Sequence, residues 1–322
     1  MMEDLQLQLT VSTSPHLKTP ITVHRAMGDV IIALIPVTLV SVYLFKFYAV
    51  LLIAVCLVTA ALTELLFKRI AGRPVSLGDG SAFVTGLLVA LLFGPGTPWW
   101  TAALATFIGI GVAKELVGGL GWNRFNPAIF GRLSVILIAP LFYYIRLAFE
   151  PFRPFFGPLD AITQGTPLAQ LMQGHDVPAL GQLIFAYPGG SLSETSLLAI
   201  LVGGLYLLFK KHISWHVPLA ILATVTLITL VSGGNPVYHI AAGGVMIGAF
   251  FMATDWVTSP ITPKGKVIFG ILIGTLTMVF RLFLAPTEGM AFAILIMNGF
   301  VPTIDSATMR LRFGEKSEAR VT

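Results

Sequence analysis

The sequence has few charged residues and a single cysteine. Charged side chains make up 11% of its 322 residues, whereas soluble domains carry roughly 25%. Such a chain has too little polar surface to cover a water-facing globule, so a soluble fold is not expected. Cys56 lies alone in an apolar run, which excludes an internal disulfide and any four-cysteine cluster or zinc site built from this chain. We expect Cys56 to be a small buried apolar residue.

Features of secreted, nucleic-acid-binding and metal-binding proteins are also missing. Residues 1–28 begin with acids and show no basic start or cleavage signature, so we interpret them as a cytoplasmic tail. The basic residues flank apolar runs instead of clustering with aromatic residues, so no nucleic-acid partner is expected. His212 and His216 are four residues apart but straddle a loop-to-helix boundary, which does not favour a zinc or haem site.

Long apolar runs dominate what is present. The chain is 56% hydrophobic with a mean hydropathy of +0.86, and a spanning helix needs about 20 mainly apolar residues. The pattern predicts an all-α polytopic membrane protein with about ten transmembrane helices. The runs are Val30–Phe45, Phe47–Phe67, Ser81–Phe93, Trp99–Ala113, Ile129–Leu147, Thr195–Phe209, Trp215–Val231, Tyr238–Ala253, Val267–Phe283 and Met290–Ile304.

The positions of lysine and arginine predict the orientation of these runs. With the N-terminus inside, sixteen cations fall on the inner side and four on the outer side, as the positive-inside rule requires. Both termini are then cytoplasmic, with residues 305–322 as the C-terminal tail. Residues 29–147 and 195–304 form two five-helix membrane segments, and residues 148–194 form one long extracytoplasmic loop.

The two five-helix segments are similar to each other. In each, a Gly-bounded third run, an apolar helix and an Asn/Pro segment follow in order, with Asn126 corresponding roughly to Asn298. Because five is odd, the segments must have opposite orientations, as in transporters with inverted repeats. Short third helices at Ser81–Phe93 and Tyr238–Ala253 indicate a site within the membrane. Helix packing through small residues is the alternative interpretation.

The outer loop contains a spacing of polar residues unlike the rest of the chain. Asp160, Thr163 and Thr166 have the pattern Asp-x-x-Ser/Thr-x-x-Thr, and Pro167 favours an extended Thr166 with an available hydroxyl. Without further context, an Asx turn ahead of a loop explains the same residues.

The motif and five further strings together resemble one family over nearly the whole chain. This family contains the D subunit of the Rnf electron-transport complex, called Rsx in some bacteria, and the B subunit of the sodium-translocating NADH:quinone reductase. The short N-terminus and modest length favour the Rnf type. The strings are SPH (Ser14–His16), DGSAFVTGLLVALLFGPGTPWW (Asp79–Trp100), GGLGWNRFNPAIFGRL (Gly118–Leu133), GAFFMATDWVTSP (Gly248–Pro260) and AILIMNGFVPTID (Ala293–Asp305).

The resemblance implies a covalent flavin in the outer loop. FMN would be joined through its phosphate to the hydroxyl of Thr166, with Asp160 and Thr163 completing the recognition motif. The family often has Ser-Gly-Ala-Thr where this chain has Thr163-Gln-Gly-Thr166. The acceptor hydroxyl is retained, although Gln164 is bulkier than the usual small residue.

A second, non-covalent flavin, riboflavin or FMN, is also implied among the helices. Candidate residues offer amide, hydroxyl and charged groups near both Asn/Pro-type segments. For Arg124 an anchor at the inner membrane face is an alternative role, and for Phe250 and Phe251 the alternative is core packing. The candidates are Asn123, Arg124, Asn126, Thr254 and Asp255.

Acids at the ends of apolar runs are candidates for an ion path, since buried acids in membranes are costly. Glu115 and Asp255 are the favoured candidates because they follow apolar helices of the repeated segments. Interfacial pairing with Lys68, Lys114 or Arg281 is the alternative for several acids. The acids are Asp29, Glu64, Asp79, Glu115, Asp255, Glu288 and Asp305.

The resemblance implies a flavin-carrying subunit of an ion-translocating ferredoxin:NAD⁺ oxidoreductase in a bacterial or archaeal cytoplasmic membrane. As one subunit of a translocase, it would relay electrons coupled to Na⁺ or H⁺ movement and would not be active alone. Partner subunits must supply clusters and nicotinamide binding, because this chain has neither signature. A flavin transferase would attach the FMN. A cofactor-free channel or secondary transporter with inverted repeats explains the helices but not the Asp160–Thr166 motif.

Overall fold

The computed structural model describes residues 22–149, 168, 179–284 and 287–309, together with their side chains except at 139–149. The residues described are helical and contain no β-strand, which confirms the all-α class. We number the α-helices in chain order. They are α1 (Val23–Phe45), α2 (Phe47–Ile70), α3 (Ser81–Leu92), α4 (Trp99–Ile108), α5 (Pro127–Phe149), α6 (Leu180–Phe185), α7 (Leu197–Phe209), α8 (His216–Val231), α9 (Pro236–Ala241), α10 (Val245–Ile247), α11 (Pro263–Phe283) and α12 (Gly289–Thr308).

Shorter helical segments complete the architecture. Two π-helical stretches, Gly109–Glu115 and Gly248–Met252, continue α4 and α10, and two 3₁₀ turns lie at Leu77–Asp79 and Leu192–Thr195. By length and composition, α1, α2, α11 and α12 could each cross a membrane. The ten-span count stays a prediction beyond these four.

Local sequence explains where several helices begin. The hydroxyl of Thr22 accepts a hydrogen bond from the Arg25 N–H at the start of α1, and Thr262 accepts one from the Gly265 N–H at the start of α11. Such caps satisfy backbone donors that a helix leaves unpaired. Pro263 follows the second cap, at a position where its missing N–H costs nothing. Capping side chains therefore determine where these two helices begin, and the hydrophobic pattern alone does not predict these positions.

Glycines allow neighbouring helices to approach each other closely. A Cβ placed on Gly131 of α5 would lie 2.1 Å from the carbonyl oxygen of Ala105 in α4. A Cβ on Gly203 of α7 would lie 2.0 Å from the carbonyl oxygen of Ala33 in α1. Backbone contact of this kind needs a residue without a side chain. It holds α4 against α5 within the first half, and α1 against α7 between the halves.

Corresponding helices pack in the same way in the two halves. In the first half α2 contacts α3 and α4, and α4 contacts α5; in the second half α8 contacts α9 and α11, and α11 contacts α12. Between the halves, α1 packs on α7 and α5 packs on α12. The core cluster runs through both halves without interruption.

The third run of the second half is not one helix, and the prediction of a single helix over Tyr238–Ala253 is wrong. The chain breaks at Gly243 and Gly244, whose φ angles are +67° and +69°, a region that favours glycine. The guanidinium of Arg281 in α11 donates to the carbonyls of His239, Ala242 and Gly243. Arg281 therefore binds backbone oxygens that the break leaves without helical partners. From the sequence alone, pairing with an acid was the role considered for Arg281.

The prediction from the charge pattern is also wrong for Arg132. Counted among the inner loop cations, it lies inside α5 and forms an ion pair with Glu288 at the start of α12. The N–H of Asn126, just before α5, donates to Oδ1 of Asn298 near the middle of α12 at 3.1 Å. The residue before α5, Asn126, is therefore buried against the middle of α12.

Candidate functional site

The two halves enclose a cavity where α1, α3 and the start of α5 meet α7 and the segment 250–257. Its volume is about 90 Å³, and it is open at its mouth. Its walls are mostly apolar, with a small number of polar groups converging on it. Asn123, Asn126, Thr254 and Asp255, predicted separately from the two halves, all line this cavity.

Asn126 connects the two walls of the cavity by hydrogen bonds. Its Oδ1 accepts hydrogen bonds from the N–H groups of Ala128 at 3.0 Å and Ile129 at 3.3 Å, which caps α5. Its Nδ2 donates to the carbonyl of Met252 in the other half at 3.3 Å. All of its polar groups therefore have protein partners, and its role is to join the halves.

Asn123 is different, since one of its polar atoms is unsatisfied. The residue is 5% exposed, and its Nδ2 donates to the carbonyl of Phe125 at 3.3 Å. Its Oδ1 is buried and has no partner among the described residues. A buried acceptor without a donor costs free energy of roughly 1–3 kcal/mol. The atom is therefore suited to accept a hydrogen bond from a ligand in the cavity.

The second half contributes aromatic and hydroxyl groups. Phe250 and Phe251 belong to the buried core and also line the cavity, so the two roles considered for them are compatible. The Thr254 hydroxyl donates to the carbonyl of Phe250 at 2.6 Å, and the Thr258 hydroxyl donates to Asp255 at 3.0 Å.

The remaining predicted residues lie elsewhere. Arg124 is exposed and does not line the cavity, in keeping with the alternative role as an anchor. Thr166, Asp160 and Thr163 lie outside the described residues. Leu168 is described: it is fully buried, next to Gly243 and the Arg281 guanidinium.

Sequence reasoning considered Lys114 as an interfacial partner for the acids, but not as part of a buried ion pair in the cavity wall. Lys114, counted as an inner loop cation, is 2% exposed and lines the cavity. Its Nζ donates to Glu64 and to the Ser81 hydroxyl, both at 2.7 Å, and the Ser76 hydroxyl donates to the other oxygen of Glu64 at 2.6 Å. The neighbouring Glu115 lies 4.0 Å from Lys114 and has one carboxylate oxygen that is buried without a partner. Only the position of Lys114 directly after an apolar run hinted at its burial.

A second polar group in the wall was also missed. His212 Nε2 lies 2.7 Å from Oδ2 of Asp29, and Tyr206 donates its hydroxyl to Oδ1 of the same carboxylate at 2.6 Å. A separation of 183 residues in sequence between His212 and Asp29 leaves no local signal. Among the residues described, no group of three or more His, Cys, Asp or Glu side chains could hold a metal ion.

Long apolar helices packed around a partly polar internal cavity indicate a membrane protein. The family model described as the NQR2, RnfD, RnfE family matches residues 10–314, and the chain belongs to this family.

Full-length relatives agree with this assignment. The chain is 37% identical over 313 residues, 96% of each chain, to the D subunit of the Na(+)-translocating ferredoxin:NAD(+) oxidoreductase complex of Acetobacterium woodii. It is 37% identical over 326 residues, 95% of this chain and 96% of the relative, to the D subunit of the proton-translocating ferredoxin:NAD(+) oxidoreductase complex of Clostridium ljungdahlii. The D subunit of an ion-translocating oxidoreductase complex of Stutzerimonas stutzeri is 35% identical over 335 residues, 93% of this chain and 94% of the relative. The resemblance to Rnf D subunits is confirmed, and these relatives belong to oxidoreductase complexes that translocate ions.

Proposed function

We propose that this chain is the flavin-carrying D subunit of an ion-translocating ferredoxin:NAD⁺ oxidoreductase. The end-to-end match to D subunits supports the assignment to the complex. The observation that carries the flavin role is the internal cavity with the unpartnered Oδ1 of Asn123. The coupling ion does not follow from similarity, because relatives named for Na⁺ and for protons are equally identical to this chain.

The proposed topology has ten spans in two inverted five-helix repeats with both termini cytoplasmic. Equivalent packing of α2–α5 and of α8, α9, α11 and α12 supports the repeat. Arg281 and Glu288 lie at the end of α11 and the start of α12, and Lys264 lies at the opposite end of α11. Leu168 is buried beside Arg281, which supports an outer-face location for the loop that contains it.

The second flavin is proposed to bind in the internal cavity, and the residues present fit its ring. Phe250 and Phe251 offer apolar surface for an isoalloxazine, and Asn123 Oδ1 offers an acceptor for a ring N–H. When bound, the flavin supplies the redox chemistry, while the protein supplies position and a dry environment. Asn126 contributes indirectly, because it fixes the two walls relative to each other.

Covalent FMN is proposed at Thr166, within the Asp160–Thr166 motif. We expect the wild-type band to be fluorescent in a denaturing gel when the chain is coexpressed with a flavin transferase. Thr166→Ala removes the acceptor oxygen and abolishes the signal, whereas Thr166→Ser keeps a hydroxyl and serves as the matched control. A wild-type band without fluorescence under these conditions contradicts covalent attachment.

Other subunits must complete the electron path. The only cysteine, Cys56, is buried and donates weakly to the carbonyl of Ala102, so this chain cannot hold an iron–sulfur cluster alone. Cluster-bearing and NAD-binding partner subunits are therefore part of the proposal. A cofactor-free transporter predicts colourless protein after purification, whereas the proposal predicts extractable flavin from the Thr166→Ala variant.

A further inference from the structure

His212 lies in a wall shared by two cavities. One is the internal cavity described above, and the other has a volume of about 220 Å³ and lies beside Ser259 and Lys266. His212, Thr254 and Trp256 line both. The indole N–H of Trp256 donates to the His212 carbonyl at 2.6 Å, which fixes the backbone of this wall. His212 is the one of these three side chains with a basic ring nitrogen.

The hydrogen bonds around His212 define which ring nitrogen is available. Asp29 accepts the Tyr206 hydroxyl on one oxygen and faces His212 Nε2 with the other. An ionised carboxylate can only accept, so Nε2 carries a hydrogen in both the neutral and the protonated ring. His212 Nδ1 has no hydrogen-bond partner within the described ranges. The exchangeable proton of His212 is therefore the one on Nδ1.

The other charged groups around the two cavities are less suited to carry a proton between them. Lys114 is bound to Glu64 and Ser81, and Asp255 accepts from Thr258. Lys266 lines only the second cavity. Lys210, directly after α7, acts electrostatically on Asp29. Among these groups, His212 alone combines an oriented ring, a free nitrogen and a place in both walls.

We propose that His212 transfers protons between the second cavity and the internal cavity, with Asp29 as the residue that positions it. The inference rests on the proposed flavin site. A flavin ring that takes up two electrons, supplied by reduced ferredoxin through the partner subunits, also takes up one proton. His212 releases that proton from Nδ1 to the ring and regains one from a water in the second cavity, and the hydroxide left behind leaves through that cavity, so charge and atoms balance.

The test uses His212→Gln in the Thr166→Ala background, where only the non-covalent flavin contributes to the absorbance. Gln keeps hydrogen-bonding groups but cannot shuttle a proton at neutral pH. We expect reduction by dithionite in a stopped-flow instrument to slow by about 10²-fold or more, the usual contribution of a positioned acid or base. His216→Gln is the matched control, because His216 is stacked on Trp215 and lines neither cavity.

Two further readouts separate proton transfer from packing. Imidazole added to His212→Ala should restore a large part of the reduction rate, which a structural role does not predict. In wild-type membrane vesicles, diethylpyrocarbonate should label His212 through the second cavity and leave His239 unlabelled, because both side chains are buried but His239 lines neither cavity.

The outcomes distinguish this inference from the proposed function. Flavin extracted from His212→Gln in wild-type amount, with slowed reduction and imidazole rescue, supports both. A wild-type reduction rate in His212→Gln, or no labelling of His212, overturns the proton-transfer role alone. Absence of extractable flavin from the Thr166→Ala parent overturns the internal flavin site, and the role of His212 with it.

Discussion

Asn123 and Asn126 are three residues apart and differ in how their polar atoms are satisfied. Asn126 has partners in both halves, whereas Oδ1 of Asn123 has none among the described residues. We expect Asn126→Leu to lower the free energy of unfolding by about 1–3 kcal/mol or more, because it leaves the N–H groups at the start of α5 uncapped. We expect Asn123→Leu to change stability little but to lower the content of non-covalent flavin. Denaturant titration and flavin extraction measure the two effects, and the opposite pattern would falsify the division of roles.

The buried pair Lys114–Glu64 gives a second prediction at this scale. Both side chains are almost fully buried, so Lys114→Met leaves an unpaired carboxylate in a poorly solvated site. The expected loss of stability is about 3–5 kcal/mol. The double variant Glu64→Gln/Lys114→Met should recover most of it, because neither charge remains. Thermal unfolding in detergent measures both proteins, and equal losses in the single and double variants contradict an ion-pair origin.

Sequence reasoning located individual residues better than it located their partners. It selected four residues that line one cavity, because amides and hydroxyls stand out in an apolar chain. It did not predict that Lys114 and His212 are buried in the cavity wall, since a cation or histidine near a helix end has the same sequence pattern whether it is buried or exposed. Their partners Glu64 and Asp29 are 50 and 183 residues away, and only the fold brings them together.

At the scale of elements, glycine contacts fix the distances between helices. Gly203 of α7 touches the α1 backbone at Ala33, whereas Gly28 of α1 has nothing within 4 Å of its added Cβ. We expect Gly203→Ala to destabilise the protein by about 1–3 kcal/mol through overpacking. Gly28→Ala is the control and should be neutral or stabilising by up to about 1 kcal/mol, because alanine favours a helix. Loss of stability of the same size in both variants argues against the backbone contact.

The end of α1 at Phe45 was predictable, because its apolar run stops at Lys46. The break at Gly243 was not, because Tyr238–Ala253 has the pattern of one apolar run with small residues in it. The energetic reason for the break lies in another helix: Arg281 satisfies the carbonyls that the break exposes. Hydropathy cannot report such a contact, since it averages over each segment separately.

At the scale of the whole molecule, the inverted arrangement predicts which loops face the same side. Arg132 lies inside the bundle, where it forms an ion pair with Glu288, so it no longer counts as an inner loop cation. The charge asymmetry between the inner and outer loops stays strong without it. Lys46 lies between α1 and α2, and Lys264 lies at the start of α11; both are exposed. The proposed topology puts Lys46 outside and Lys264 inside.

Cysteine labelling tests this arrangement, because Cys56 is fully buried and should stay unreactive in a folded background. In intact cells, a membrane-impermeant maleimide should label Lys46→Cys, whereas Lys264→Cys should react only after the membrane is opened. The unsubstituted chain controls for reaction at Cys56. Labelling of both variants from outside would place α1 and α11 in a different relation to the membrane. In that case the two halves could not be inverted repeats with cytoplasmic termini, whatever cofactor the cavity holds.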